Sequence, residues 1–145
     1  MDVFDYNKSC NSKILLRVKE DLYRICRKYN LFLVVLHGSY AKNAATAKSD
    51  IDIGLLGDSN IIKEKYFDIL RDFVSIFGDK FDPVFLNGAE AMITYHVAIN
   101  GIPLYEKNRG LFNSFRLGAL ARYQDTGKFR ILEKQYIKSA IKRMR

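Results

Sequence analysis

Apolar residues recur along this chain with two different periods, and the switches between them mark out its elements. Across residues 12–29, Ile14, Leu15, Val18, Leu22, Ile25, Cys26 and Tyr29 share one stripe of a 3.6-residue period. An amphipathic helix is expected there, stopping near Asn30. The next stretch, LFLVVLHG at 31–38, is a short apolar run that ends at glycine and suits a buried strand. SYAKNA has the length of a short helix, and SDIDIGLLG at 49–57 alternates aspartate with isoleucine as a second strand would. Ser59 or Asn60 would cap a third helix, IIKEKYFDILRDFVSIF, which Gly78 closes. KFDPVFLN reads as a third strand and AEAMITYHVAI as a fourth helix. GIPLYEK reads as a short edge strand, because Pro103 cannot donate to a central ladder. From Leu111 onward the pattern is helical, with an interruption near DTGK.

That order predicts an α/β core with a helical C-terminal tail. No repeat, low-complexity tract or Pro/Gly/Ser linker divides the chain. A single domain over 1–145 is therefore expected, with a core at 12–106 and a helical segment at 110–145. A chain of 145 residues buries roughly 68–70% of its unfolded surface, enough for a core of its own. The longest purely apolar run, LFLVVL, is far short of a membrane span, and the N-terminal MDVFDYNK lacks the basic-then-apolar layout of a signal peptide. Neither Cys10 nor Cys26 sits at a metal-ligand spacing. A cytoplasmic protein with inert thiols and no membrane contact is the expectation. The net charge of +8 favours an anionic partner: a nucleotide, RNA or an acidic protein surface.

The chemistry concentrates in HGSYAKNAATAKSDIDIG, residues 37–54. On a strand, Asp50 and Asp52 point the same way while Ile51 and Ile53 turn into the core. Two carboxylates one pleat apart can lean toward a shared divalent cation; without one they repel. Mg²⁺ favours such sites, completed by water and substrate phosphate oxygens. Upstream, Gly38 lets the backbone approach a phosphate, Ser39 adds a hydroxyl, and a helix starting there aims free N–H groups at an anion. Lys42 and Lys48 lie close enough in sequence to supply positive charge. Asp82, on the next strand, could face the first two carboxylates as a third ligand or as a base; Asp79, its rival, falls in a turn. These are the parts that phosphoryl or nucleotidyl transfer needs.

Gly38-Ser39, ten residues, then Asp50-x-Asp52 in SDIDIGLL resembles the signature of the DNA polymerase β-type nucleotidyltransferase superfamily. The short length is similar to that of its minimal nucleotidyltransferases, the MNT antitoxins. FDPVFLNGAEAMITYHVAINGIPLYEK and ARYQD resemble their later segments, so the likeness runs over about 30–125. It implies a polymerase β-like fold with a small mixed sheet flanked by helices. It also implies ATP as substrate with two Mg²⁺ ions, and AMP transfer to a tyrosine of a partner HEPN-domain ribonuclease toxin that is thereby silenced. By the same likeness Gly38 and Ser39 hold the triphosphate, Asp50 and Asp52 hold the metals, and Asp82 completes the triad. Two positions depart from the pattern. Asn43 stands where the family often has glycine, although asparagine tolerates left-handed backbone. Pro83 follows Asp82 and removes a ladder donor.

Other readings stand beside this one. His37 is read as a packed strand-end residue or a nucleotide contact, and His96 as structural. Arg130, Lys134, Lys138 and Lys142 recur every fourth residue, as a solvated face or as a landing surface for an acidic partner or RNA. Leu132, Tyr136, Ala140 and Met144 form another face with which the last helix is expected to dock. The functional alternatives are a silent binding module acting by occlusion, or a nucleotidyltransferase with a small-molecule acceptor such as an aminoglycoside.

Overall fold

The computed structural model describes the backbone of residues 11–144 and the side chains of residues 18–144. The elements run α1 (Asn11–Lys28), β1 (Leu31–His37), α2 (Gly38–Ala41), β2 (Ile51–Gly57), α3 (Ser59–Phe77), β3 (Phe81–Phe85), α4 (Ala91–Asn100), β4 (Ile102–Glu106), α5 (Leu111–Asp125) and α6 (Gly127–Arg143). Four strands form one mixed sheet in the order β3-β2-β1-β4. β1 is antiparallel to both β2 and β4, whereas β2 and β3 run parallel, joined by the α3 crossover. The expected fold class is the observed one.

Helices cover both faces of the sheet, so the strands alternate between two cores. On one face Val34, Leu36, Ile51, Ile53 and Leu55 pack with Leu22, Ile25 and Cys26 of α1 and Ile69, Phe73 and Phe77 of α3. On the other, Leu33, Val35 and Leu86 pack with Val97 of α4 and Phe112 of α5. An irregularity between Leu31 and Leu33 shifts the register, which explains how Leu31 joins the first core while Leu33 joins the second. Phe73 stacks on Phe77 and Phe81 at centroid distances of 6.2 and 5.5 Å; burying each such ring contributes about 1.5–3 kcal/mol.

Several local expectations need correction. The α3 cap is Asp58, whose carboxylate accepts from the N–H groups of Asn60 and Ile61, and not Ser59 or Asn60. Gly78 does close the helix, at φ 78° with its N–H on Val74. The helix after β1 is a single turn over Gly38–Ala41 rather than the longer SYAKNA segment. Pro103 lies on the edge strand β4 as expected. Pro83 is harmless to the ladder. Leu86 donates its N–H to Leu55 across the parallel pair, and by the two-residue period the missing Pro83 donor falls on the open edge of β3.

The break at DTGK is the one residue Thr126 between α5 and α6. The docking open to α6 is not made among the described residues: Leu132, Tyr136 and Met144 are 60%, 75% and 87% exposed. Arg130 leaves the basic stripe and turns back, donating to Thr126 Oγ1 (2.6 Å) and the Tyr123 carbonyl (2.7 Å) and lying 3.5 Å from the Tyr123 ring centroid. Lys134, Lys138 and Lys142 stay exposed. Among the described residues no helix is long and apolar enough to cross a membrane. Cys26 is fully buried, and that burial pushes its thiol up to about 12, consistent with an inert role. Cys10 and the side chains of Ile14 and Leu15 lie outside the described residues.

Candidate functional site

The ends of three strands bring the site together. β1 finishes at His37, whose Cα partner on β2 is Asp52; Asp52 in turn pairs with Asp82 on β3. Directly opposed residues share a face of the sheet, so His37, Asp52 and Asp82 form a row across three strands. Their face is that of the second core, since Leu33, Val35 and Val84, two or four residues away along the same strands, pack there. Asp82 therefore shares a sheet face with Asp52 across the β2–β3 pair. Asp79 sits in the turn before β3, outside the row.

Asp52 is half-buried, and its carboxyl lies above the ordinary carboxylate range. Burial is the main cause; the charges of Asp82 and Asp50 and a side-chain hydrogen bond with Asp82 act in the same direction. Asp50 lies one residue before β2 and is exposed, so it reaches the pair from the rim of the site rather than from the ladder.

Gly38 follows immediately, and glycine is required there for two reasons. Its φ is +69°, in the left-handed region. A β-carbon would also overlap the carboxylate oxygen of Asp52, with Asp52 Cγ at 2.9 Å and Cβ at 3.2 Å. The backbone of the Gly-Ser turn thus lies directly against the carboxylate pair. No side chain caps α2, but a single turn has little macrodipole, so any anion held here depends on individual N–H groups. Ser39 lies half-buried in that turn. Asn43 adopts φ 60°, the left-handed geometry that a glycine would otherwise supply.

Lys42 and Lys48 are exposed at either end of the connection from α2 to β2. That connection is held by Thr46 N–H on Ser49 Oγ (2.8 Å) and by Lys80 Nζ on the Ala47 carbonyl (2.6 Å). His37 is half-buried, and its Nε2 is fully shielded without a hydrogen-bond partner. Burial holds its imidazole below the usual range, partly offset by the negative charge of Asp82. The sequence reading of His37 as a packed strand end did not foresee its place opposite Asp52; the signal available was the hairpin register. His96 is exposed on α4, its ring 5.5 Å from that of Tyr95.

The donor set fits a divalent cation held jointly with a substrate. Two carboxylates opposed across neighbouring strands repel unless a proton or a cation lies between them. Among the described residues no three carboxylate, imidazole or thiol groups form a ready set of ligands. An ion here would draw the rest of its shell from phosphate oxygens and water, as Mg²⁺ commonly does.

A mixed sheet with paired carboxylates at a strand end, behind a glycine turn, defines a nucleotidyltransferase-type domain. Residues 20–110 match the family Polymerase beta, Nucleotidyltransferase, and the chain belongs to it. Comparison with curated proteins by sequence found no match. Among solved structures, the chain is similar to one in a toxin–antitoxin complex with AMP-PNP, at 22% identity and a TM-score of 0.63, over 85% of this chain and 97% of that one. It is also similar to one in a complex of a tri-AMPylated Shewanella oneidensis HEPN toxin with MNT antitoxin, at 20% identity and a TM-score of 0.60, covering 88% and 98%. A third, from the toxin–antitoxin pair MntA-HepT, has 20% identity and a TM-score of 0.62, covering 87% and 97%.

Proposed function

We propose that this protein is an Mg²⁺-dependent protein adenylyltransferase that acts as an antitoxin. It transfers AMP from ATP to a tyrosine hydroxyl of a partner HEPN-domain ribonuclease toxin and so neutralises it. The observation that carries this reading is the Asp52–Asp82 pair opposed across β2 and β3, with Gly38 packed against it. Membership in the nucleotidyltransferase family supports the reaction class. The acceptor is suggested by the tri-AMPylated HEPN toxin in a structurally similar complex, and the nucleotide by AMP-PNP in another.

In this reading Asp50 and Asp52, with Asp82, hold the metal ions. Bound Mg²⁺ would neutralise triphosphate charge and lower the barrier at the α-phosphorus. Gly38 and Ser39 present backbone N–H groups and a hydroxyl to the triphosphate, and Lys42 and Lys48 add positive charge at its edge. The tyrosine oxygen bonds to the α-phosphorus as the α–β bridging P–O bond breaks, and pyrophosphate leaves. In this reading the phenolic proton passes to Asp82, the carboxylate of the strand beside Asp52. The occlusion reading loses its main support because Pro83 leaves the β2–β3 ladder intact.

The test is incubation with α-labelled ATP, Mg²⁺ and the candidate HEPN protein, beside the Asp50→Ala/Asp52→Ala variant. Label on the partner only with intact carboxylates is the expected result. Neutralisation of the toxin by the double variant, without label, would replace catalysis with occlusion. Label on an aminoglycoside but not on protein would move the acceptor to a small molecule.

A further inference from the structure

Buried polar atoms without partners are rare in folded proteins, and each calls for an explanation. Among the described side chains, the single such atom is His37 Nε2. Its position in the row is informative. His37 lies opposite Asp52 on the same sheet face, one strand further from Asp82. It is also the residue from which the Gly38-Ser39 turn departs, with extended backbone at φ −136°. The carboxylate it faces is itself opposed, on its other side, by Asp82 of β3.

We propose that His37 is a positioning residue for the metal-holding carboxylates: its Nε2–H donates to the Asp52 carboxylate once a divalent cation is held by Asp52 and Asp82. This inference rests on the metal-site reading given above. A cation held by both carboxylates would relieve their mutual repulsion in place of a proton. Asp52 would then gain from a hydrogen-bond donor that orients it, and its cross-strand neighbour on β1 is the His37 imidazole. Directly opposed side chains in an antiparallel pair have Cβ atoms about 4.5–5.5 Å apart, within reach of such a bond. The geometry thus changes from an unpartnered ring nitrogen beside two opposed carboxylates to an N–H donor satisfied by a ligated carboxylate. Hydrogen-bond partners of metal ligands fix the ligand's orientation, and losing one typically weakens metal affinity about 10–100-fold. His37 stays neutral throughout; its role is that of an N–H donor.

The experiment measures Mn²⁺ binding by calorimetry in the presence of AMP-PNP, where no turnover occurs, for wild type, His37→Phe and His37→Gln. His37→Phe keeps a ring but removes the donor; it should weaken Mn²⁺ about 10–100-fold. His37→Gln restores an N–H donor and should recover most of that loss. Metal-free melting of His37→Phe should equal or exceed that of wild type, because an unsatisfied donor has been removed. In wild type itself, the Nε2–H proton of His37 should become a slowly exchanging, downfield NMR resonance on adding Mg²⁺ and AMP-PNP; the chain has only two histidines to assign. That measurement decides the matter should the variants fail to fold. Mn²⁺ affinity unchanged in His37→Phe, or an unchanged imidazole spectrum, overturns the inference alone. Absence of Mn²⁺ binding by wild type overturns the metal-site reading and this inference with it.

Discussion

Replacing Gly38 by alanine tests the link between the turn and the carboxylate pair. Two costs are separable. The first is backbone strain: φ +69° forces an L-residue into the left-handed region, at about 1–2 kcal/mol. The second is the overlap of the new β-carbon with Asp52. The cheapest relief is for the Asp52 carboxyl to swing aside, at about 0.5–1.5 kcal/mol for a poor rotamer. In an Asp52→Ala background the carboxylate is gone, so only the first cost remains, with the remaining β-carbon 3.2 Å away and able to yield slightly. Urea unfolding of the four proteins of this cycle, in EDTA, should give a coupling of about 0.5–1.5 kcal/mol. If Gly38→Ala costs the same in both backgrounds, within about 0.5 kcal/mol, the turn does not press on Asp52 and the cradle argument fails.

Other outcomes follow from features outside the site. Asp72 accepts from Tyr29 Oη (2.6 Å) and pairs with Lys28 (2.9 Å) and more loosely with Arg71 (3.4 Å), and these contacts hold its carboxyl below the usual range. A depressed native pKa means stability present above the unfolded value of about 3.9 and lost as pH falls through the native one. Asp72→Asn should cost about 1 kcal/mol at pH 7, and its melting temperature should converge with that of wild type in acid; a constant gap across pH would refute this. In a Cys10→Ser variant, buried Cys26 should give no reaction with a thiol reagent at pH 8 until the protein is denatured. Arg130→Ala should raise hydrogen exchange across Gly127–Arg143 without lowering the global melting temperature, since Arg130 anchors the start of a helix that is otherwise exposed. Unchanged exchange there would mean that the elbow is held by other contacts.

Much of this was legible because the relevant periods are local. The Asp/Ile alternation at 50–53 put Ile51 and Ile53 in the core and Asp52 on the opposite face. Asparagine at position 43 signalled a left-handed residue, and φ is 60° there. What failed to show depends on pairing between segments. That His37 faces Asp52, and that β1 shifts register between Leu31 and Leu33, follows from how β1 and β2 align, which no single strand encodes. The Asp58 cap was readable in principle, since aspartate is among the preferred caps just before a helical run.

The positive charge illustrates a different limit, for composition reports a total and not a place. An excess of +8 suggests a nucleotide-binding surface, yet the strand ends of the candidate site carry Asp50, Asp52 and Asp82. Much of the excess lies on α6, where Lys128, Arg130, Lys134, Lys138, Lys142 and Arg143 face a single acidic residue, Glu133. Two further cations, Lys42 and Lys48, lie exposed on the connection between the glycine turn and β2. With a Debye length of about 8 Å at physiological ionic strength, exposed charge more than one such length away is largely screened. Under the proposed function, triphosphate recognition would rest on the turn, the two lysines and any cation the aspartates hold. Substituting Lys134, Lys138 and Lys142 together should accordingly leave nucleotide affinity unchanged at physiological salt, whereas Lys42→Ala should weaken it.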